Sequence, residues 1–260
     1  LLTTVGGNVD VEKCTNNALG LLELASRPEI PVYQGCPNAI LQPGNPVPDI
    51  HGDTGLGKAR LPATTIKAAR KHAVPALIDA ILSSPGKVTI AALAPLTNIA
   101  LALIMAPQIA NRIEKIVIIG GAMNGGNITP FATYNLHSDP HAARIVINSR
   151  ISVVMIGLDT LRQLKPDIEW LHTLAGSGSR ISRFVAEIWE GFSLGFNDAA
   201  AILYIIKPQL FTDLPMRIEI ECCDSERLGQ TIPIIGEPNV QFVTSVDRTA
   251  AMQKIRVALA

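Results

Sequence analysis

The chain has 260 residues, of which 48% are hydrophobic and 17% charged, so it can bury a large core and falls outside the disordered class. Lys plus Arg and Asp plus Glu number 22 each, without a basic stripe or an acidic tail. Nucleic acid and membrane surfaces are therefore not expected as partners, and the longest apolar runs are too short to span a bilayer.

Short β-rich runs alternate with helical stretches, which predicts βαβ units. The first half is predicted to contain, in chain order, strand Leu1–Val5, helix Val11–Ala25, strand Val88–Leu93, helix Pro95–Met105, strand Lys115–Ile119, helix Pro140–Asn148 and strand Ser152–Ile156. The second half is predicted to contain helices Ser182–Ser193 and Asp198–Ile206, strands Met216–Cys222 and Gln241–Val246, both expected at a sheet edge, and helix Arg248–Leu259. No linker or repeat divides the chain, so we expect a single α/β domain over residues 1–260, with a mainly parallel open sheet flanked by helices and a Rossmann-like core.

The cysteines bear on the compartment. Cys14, Cys36, Cys222 and Cys223 show no CxxC spacing, and a disulfide within the adjacent pair would be strained. We expect buried, reduced thiols in a cytoplasmic protein without a secretory signal. Because a domain seldom begins inside a core strand, and Leu1 falls in one, we also expect further sequence upstream, including the first strand.

Glycine-rich and polar segments follow three predicted strands, where open parallel sheets bind ligands. The loop 120–127 has the glycine spacing of a phosphate-binding loop, but Gly126 and Asn127 stand where Lys and Ser or Thr are required, so no nucleotide-phosphate site is expected. Asn8, Asn127 and Asn135 offer both donors and acceptors, which suits sugar hydroxyls. For any one of them alone, capping of a turn is the favoured interpretation.

Several segments together resemble the inosine–uridine preferring nucleoside hydrolases over essentially the whole chain. The matching segments are TTVGGNV from Thr3, HGDTGLG from His51, APLTNIA from Ala94, IGGA from Ile119, GNITP from Gly126, Asn135, Asp139-Pro140 and FNDA from Phe196. The resemblance implies a Ca²⁺-dependent N-ribohydrolase of purine or pyrimidine salvage that cleaves a ribonucleoside to ribose and free base. It also implies a homo-oligomer, a dimer or a tetramer.

The resemblance further implies roles for individual residues. The positions expected to contact the nucleoside are Asn8 and His51 near the base, Ile119 in the apolar wall, and Asn127, Thr133, Asn135 and Asp198 around the ribose. Asp198 is also expected to ligate calcium through its carboxylate, and Leu93 through its backbone carbonyl. Helical segments of Ile168–Leu194 are expected near the base, whose identity they leave open.

Three departures from the family pattern bear on activity. The family's aspartate cluster DTDxGxDD, the source of most calcium carboxylates and of the catalytic base, has no counterpart in the sequence. Thr133 replaces a ribose-binding glutamate, and Asn197 replaces a histidine that is the general acid in many members. Asparagine donates no proton at neutral pH, which removes a contribution of about 10²–10⁴-fold. No catalytic residue is therefore assigned. His137 or His141 could replace the missing acid, but the favoured interpretation is that they are solvated histidines without a catalytic role.

Calcium prefers roughly 6–8 oxygen ligands, and the resemblance provides only two, from Asp198 and Leu93. We therefore expect weak calcium binding or none. The leading prediction is a nucleoside hydrolase that is either shortened at its N-terminus or reduced in activity. The alternatives are a degenerate member that keeps the ribose pocket without catalysis, and a hydrolase acting on another ribosyl substrate.

Overall fold

The computed structural model describes residues 1–44, 46–189 and 195–260. Its strands are β1 (Leu2–Thr4), β2 (Val32–Gln34), β3 (Val88–Ala92), β4 (Ile113–Ile119), β5 (Val153–Ile156), β6 (Phe211–Ile220), β7 (Thr231–Ile234) and β8 (Val240–Val246). Its α-helices are α1 (Val11–Leu24), α2 (Pro48–His51), α3 (Ala73–Ser83), α4 (Thr97–Met105), α5 (Tyr134–Ser138), α6 (Pro140–Ile147), α7 (Leu158–Leu161), α8 (Ile168–Ala175), α9 (Arg180–Trp189), α10 (Asn197–Ile206) and α11 (Arg248–Leu259). The predicted α/β class is confirmed.

The main sheet has six strands in the order β3-β4-β5-β8-β6-β7. The first four strands of this order run parallel, whereas β6 and β7 add antiparallel pairs. β1 and β2 pair in parallel as a separate two-stranded sheet. The sheet is thus mainly parallel, as the alternation of strands and helices predicts.

The expectation that the two late strands lie at a sheet edge is wrong. β8 lies between β5 and β6, and its Phe242 and Val243 are buried because helices cover both faces. β6 begins at Phe211 rather than at Met216, and it is not an edge strand because β7 pairs with its outer side. Pro233 interrupts the strand pattern of β7, and such a proline is tolerated at an edge.

β4 shows how the core is built. Ile116 and Ile118 pack into one apolar cluster with residues of α3, α4 and α6, while Val117 and Ile119 pack into a second with residues of α7, α10 and α11. Because successive side chains of a strand point to opposite faces, a strand covered on both sides must be apolar throughout. Helices therefore flank the sheet on both faces, and the strand ends are left for function.

Asn98 connects the small sheet to the large one. Its amide nitrogen donates to the carbonyl of Thr4 (2.8 Å), and its amide oxygen accepts from the Cys36 N–H (3.0 Å). Asn98 is buried at the start of α4, directly after the loop that follows β3. The APLTNIA segment therefore aligns the ends of β1, β2 and β3 with one another.

Other sequence expectations need correction. The patterns did not predict β2 or α3, and the final residues of the predicted helix Ser182–Ser193 lie outside the described residues. All four cysteines are free, but only Cys36 is buried, and Cys223 is exposed because it lies in the loop after β6. In the described part of the chain, no helix is both long and apolar enough to cross a membrane.

Candidate functional site

Residues from separate segments converge on one cavity of about 850 Å³ at the carboxyl ends of β1, β3 and β4. Its wall includes every position for which the family resemblance implies a role at the site, namely Asn8, His51, Leu93, Ile119, Asn127, Thr133, Asn135, Asn197 and Asp198. Their proximity follows from the parallel sheet, which gathers strand ends at one edge. The roles expected of these residues stay predictions.

Asn135, near the start of α5, joins the ends of two strands. Its amide nitrogen donates to the carbonyls of Leu93 (3.1 Å) and Ile119 (2.9 Å). Both donors of this NH₂ group are thereby used, and the amide oxygen is the group left to a ligand. The Leu93 carbonyl, expected to face calcium, accepts a hydrogen bond from a neutral amide instead.

Asn127 and Thr133 are each oriented by backbone contacts. The Asn127 side-chain oxygen accepts from the Tyr134 N–H (2.8 Å), so its NH₂ group is the donor open to a ligand within the described residues. The Thr133 hydroxyl oxygen accepts from the Gly121 N–H (3.0 Å), and the side chain is buried. Thr133 therefore supports the glycine turn after β4 in addition to lining the cavity.

Asp198 is the only carboxylate in the described cavity wall. Its side chain is reachable by solvent from the cavity but has protein on nearly every other side. This burial raises the pKa of the Asp198 carboxyl to about 6 because low-dielectric surroundings disfavour the charged form. The group therefore gains and loses its proton close to neutral pH.

Two further titratable groups of the wall stay neutral at pH 7. Burial lowers the pKa of His51, at the end of α2, below its usual value, so the imidazole is uncharged. Burial raises the pKa of the Tyr134 hydroxyl, which keeps its proton. The cavity thus offers these neutral hydrogen-bonding groups beside the Asp198 carboxylate, and its wall also contains Lys207 and Lys254.

The two histidines considered as substitute acids do not belong to the described part of the cavity wall. His137 is also not the solvated residue expected from the sequence, since its Nδ1 atom is buried without a hydrogen-bond partner and burial lowers its pKa. A Cβ added at Gly229 would lie 2.5 Å from the His137 Cα, so the loop that contains Gly229 passes directly against the His137 backbone. The substitution of either histidine for the missing acid is unsupported.

Sequence reasoning missed an aromatic part of the wall. Phe196 and Trp189 both line the cavity, and their rings stack with centroids 4.5 Å apart. Trp170 packs against Phe196 from another side at 4.9 Å. Trp189 falls within the segment expected near the base, but only the tertiary structure identifies it. Tyr134 was also missed, although it stands between Thr133 and Asn135.

The residues described do not fit a calcium ion. Across those parts of the chain, no group of three or more His, Cys, Asp or Glu side chains comes together. Asp198 is the lone carboxylate in the described wall of the cavity, and the Leu93 carbonyl, which also accepts a hydrogen bond from Asn135, adds one further oxygen. Calcium needs roughly 6–8 oxygen ligands. Weak calcium binding or none stays a prediction.

Comparison with known proteins points to one family. A family model described as inosine-uridine preferring nucleoside hydrolase matches residues 1–253. The non-specific ribonucleoside hydrolase RihC of Escherichia fergusonii is 35% identical over 271 residues, covering 100% of this chain and 89% of that protein. A solved plant nucleoside hydrolase has a TM-score of 0.94 at 27% identity, covering 99% of this chain and 89% of that one. A purine-preferring ribonucleoside hydrolase from Gardnerella vaginalis has a TM-score of 0.91 at 29% identity, with 99% and 88% covered.

Proposed function

Because the chain belongs to the inosine-uridine preferring nucleoside hydrolase family, we propose that it hydrolyses the N-glycosidic bond of ribonucleosides to ribose and free base. The convergence of Asn127, Asn135 and Asp198 on one cavity carries the proposal. Small-molecule sites have volumes of about 300–1,000 Å³. The cavity, at about 850 Å³, accommodates a nucleoside.

The polar groups of the cavity suit a ribose. The Asn127 NH₂ group supplies a donor, while the Asn135 amide oxygen and the Asp198 carboxylate supply acceptors. A sugar hydroxyl both donates and accepts, so it needs partners of both kinds. The base would then lie beside the aromatic pair of Trp189 and Phe196, with neutral His51 as a hydrogen-bonding group.

Asp198 provides the electrostatic contribution to the reaction. Glycosidic cleavage develops positive charge on the sugar ring, and a nearby carboxylate stabilises that charge. With its pKa at about 6, Asp198 carries its negative charge at pH 7 and above but not at pH 5. Activity is therefore expected to fall as the pH drops through 6.

The same cavity favours slow turnover. Asn197 lines it at the position where a general acid is expected, and an amide does not protonate a leaving base. The second candidate function is a degenerate member that binds ribose or nucleoside without hydrolysis, and the lone carboxylate of the described wall is the observation that favours it.

The decisive test is release of base from inosine, uridine and 4-nitrophenyl riboside, each with and without calcium. We expect slow release by the wild type with little effect of calcium, and a further loss on the order of 10²-fold in Asp198→Asn. Asp79→Asn is the matched control, since Asp79 is an exposed aspartate of α3 paired with Lys71. Absence of release from all three compounds would contradict the hydrolase, and ribose binding without release would establish the second candidate.

The assembly is proposed on the family resemblance alone. We expect a homodimer or homotetramer, and light scattering during size-exclusion chromatography measures its mass. A monomer at micromolar concentration would contradict this expectation.

A further inference from the structure

Two charged residues after β5 hold the loop that follows β4. Asp159 lies in α7, and Arg162 follows directly after that helix. Neither side chain belongs to the described wall of the cavity, and within the described chain neither forms an ion pair. Their charges are directed instead at the backbone of residues 123–126, immediately before Asn127.

Asp159 binds the first half of the loop. One carboxylate oxygen accepts from the Met123 N–H (2.8 Å), and the other accepts from the Asn124 N–H (3.1 Å) and from the Asn124 side-chain amide (2.8 Å). Hydrogen bonds to an ionised carboxylate are stronger than those between neutral groups. Asp159 thus satisfies two successive backbone donors that no strand or helix satisfies.

Arg162 binds the second half of the loop. Its Nη1 donates to the carbonyl of Asn124 (2.8 Å), and its Nη2 donates to those of Gly125 (3.1 Å) and Gly126 (3.5 Å). The planar guanidinium presents several donors in a rigid fork, and a lysine ammonium cannot reproduce this geometry. Three successive carbonyls are therefore fixed by one side chain.

The loop needs such external contacts. Gly121 and Gly125 have φ values of +87° and +75°, and glycine loses more conformational freedom on ordering than any other residue. Asn127 follows Gly126 directly, and its N–H donates a hydrogen bond to the Ala132 carbonyl (3.1 Å). The chain before Asn127 is thus held by Asp159 and Arg162, with one further bond from the Gly126 N–H to the Pro130 carbonyl (3.1 Å), and the chain after it by the turn that leads to α5.

We propose that Asp159 and Arg162 are positioning residues, which hold residues 123–126 so that the Asn127 amide is presented to the ribose. This inference rests on the proposed function, because it takes the cavity as a ribose site. It assigns the two residues no contact with substrate. Their effect on binding must therefore pass through Asn127.

A double-mutant cycle tests the inference, with D-ribose affinity measured by calorimetry and KM for inosine as readouts. Arg162→Ala is expected to weaken ribose binding about five- to thirty-fold, the effect of losing one or two kcal/mol. In the Asn127→Ala background, the same change is expected to have almost no effect, since effects that share one contact are not additive. Arg162→Lys should restore binding only in part. Arg27→Ala, which removes an exposed arginine bonded to Glu29, is the matched control.

Amide hydrogen exchange of residues 121–127 gives an independent readout, expected to become faster in Arg162→Ala and to stay unchanged in Arg27→Ala. An equal loss of ribose affinity in both backgrounds would overturn the inference, as would wild-type affinity in Arg162→Ala or the absence of ribose binding by the wild type. Ribose binding without turnover would contradict the proposed hydrolysis and leave the cycle fully interpretable. The two failures are therefore distinguishable.

Discussion

Replacement of Asn135 by alanine tests how the ends of β3 and β4 are held together. The change removes two hydrogen bonds, to the carbonyls of Leu93 and Ile119, each with a net contribution of about 0.5–1.5 kcal/mol. Leu93 is 36% exposed and Ile119 only 6%, so water replaces the lost bond less readily at the Ile119 carbonyl than at the Leu93 carbonyl. We expect a loss of about 2–3 kcal/mol in the free energy of unfolding.

Urea unfolding followed by tryptophan fluorescence measures this loss, and the accompanying fall in Tm should be about 4–12 °C for a chain of this size. Asn148→Ala is the matched control because its amide makes one exposed hydrogen bond, to the Arg144 carbonyl, and a change below about 0.5 kcal/mol is expected. Asn135→Asp should be less stable than the wild type at pH 7, since a carboxylate then faces two carbonyl oxygens, and should recover in part once it is protonated. Equal losses in Asn135→Ala and Asn148→Ala would refute the reasoning.

Three other predictions concern the same cavity. Asp198→Asn should have a larger free energy of unfolding than the wild type at pH 8, because the pKa of the Asp198 carboxyl is raised to about 6 in the folded state. This stability difference should shrink as the pH falls through 6 and vanish below the ordinary pKa of 3.8. A gain that does not change with pH in urea titrations would contradict that assignment. Gly121→Ala should lose about 2–5 kcal/mol, since φ is +87° and the added Cβ would lie 2.6 Å from the Met155 sulfur; a loss below 1 kcal/mol in urea unfolding would be incompatible with this geometry. Calorimetric titration with calcium should give no binding in the micromolar range, and a micromolar dissociation constant would overturn that prediction.

The fold class was accessible from the sequence because local patterns reflect it directly. Residues Ile116–Ile119 of β4 and all of β5 are apolar, which is typical of strands buried on both faces, and the family predicted from the motifs is confirmed. β2 was not accessible, since three residues carry too little periodicity. The position of β8 was not accessible either, because strand order depends on long-range pairing that no local pattern encodes.

The cavity shows the same difference between what the sequence predicts and what the tertiary structure decides. Residue types and their order along the chain were enough to select the cavity residues, Asn127 and Asp198 among them. Only the tertiary structure decided what each selected group is left to do. In the folded chain, the Asn135 amide is hydrogen-bonded to the ends of two strands, and Asp159 and Arg162 are hydrogen-bonded to the loop before Asn127. Burial in the fold raises the pKa of Asp198. Hydrogen-bond partners and desolvation arise from segments distant in sequence, which is why the residue list was predictable and its chemistry was not.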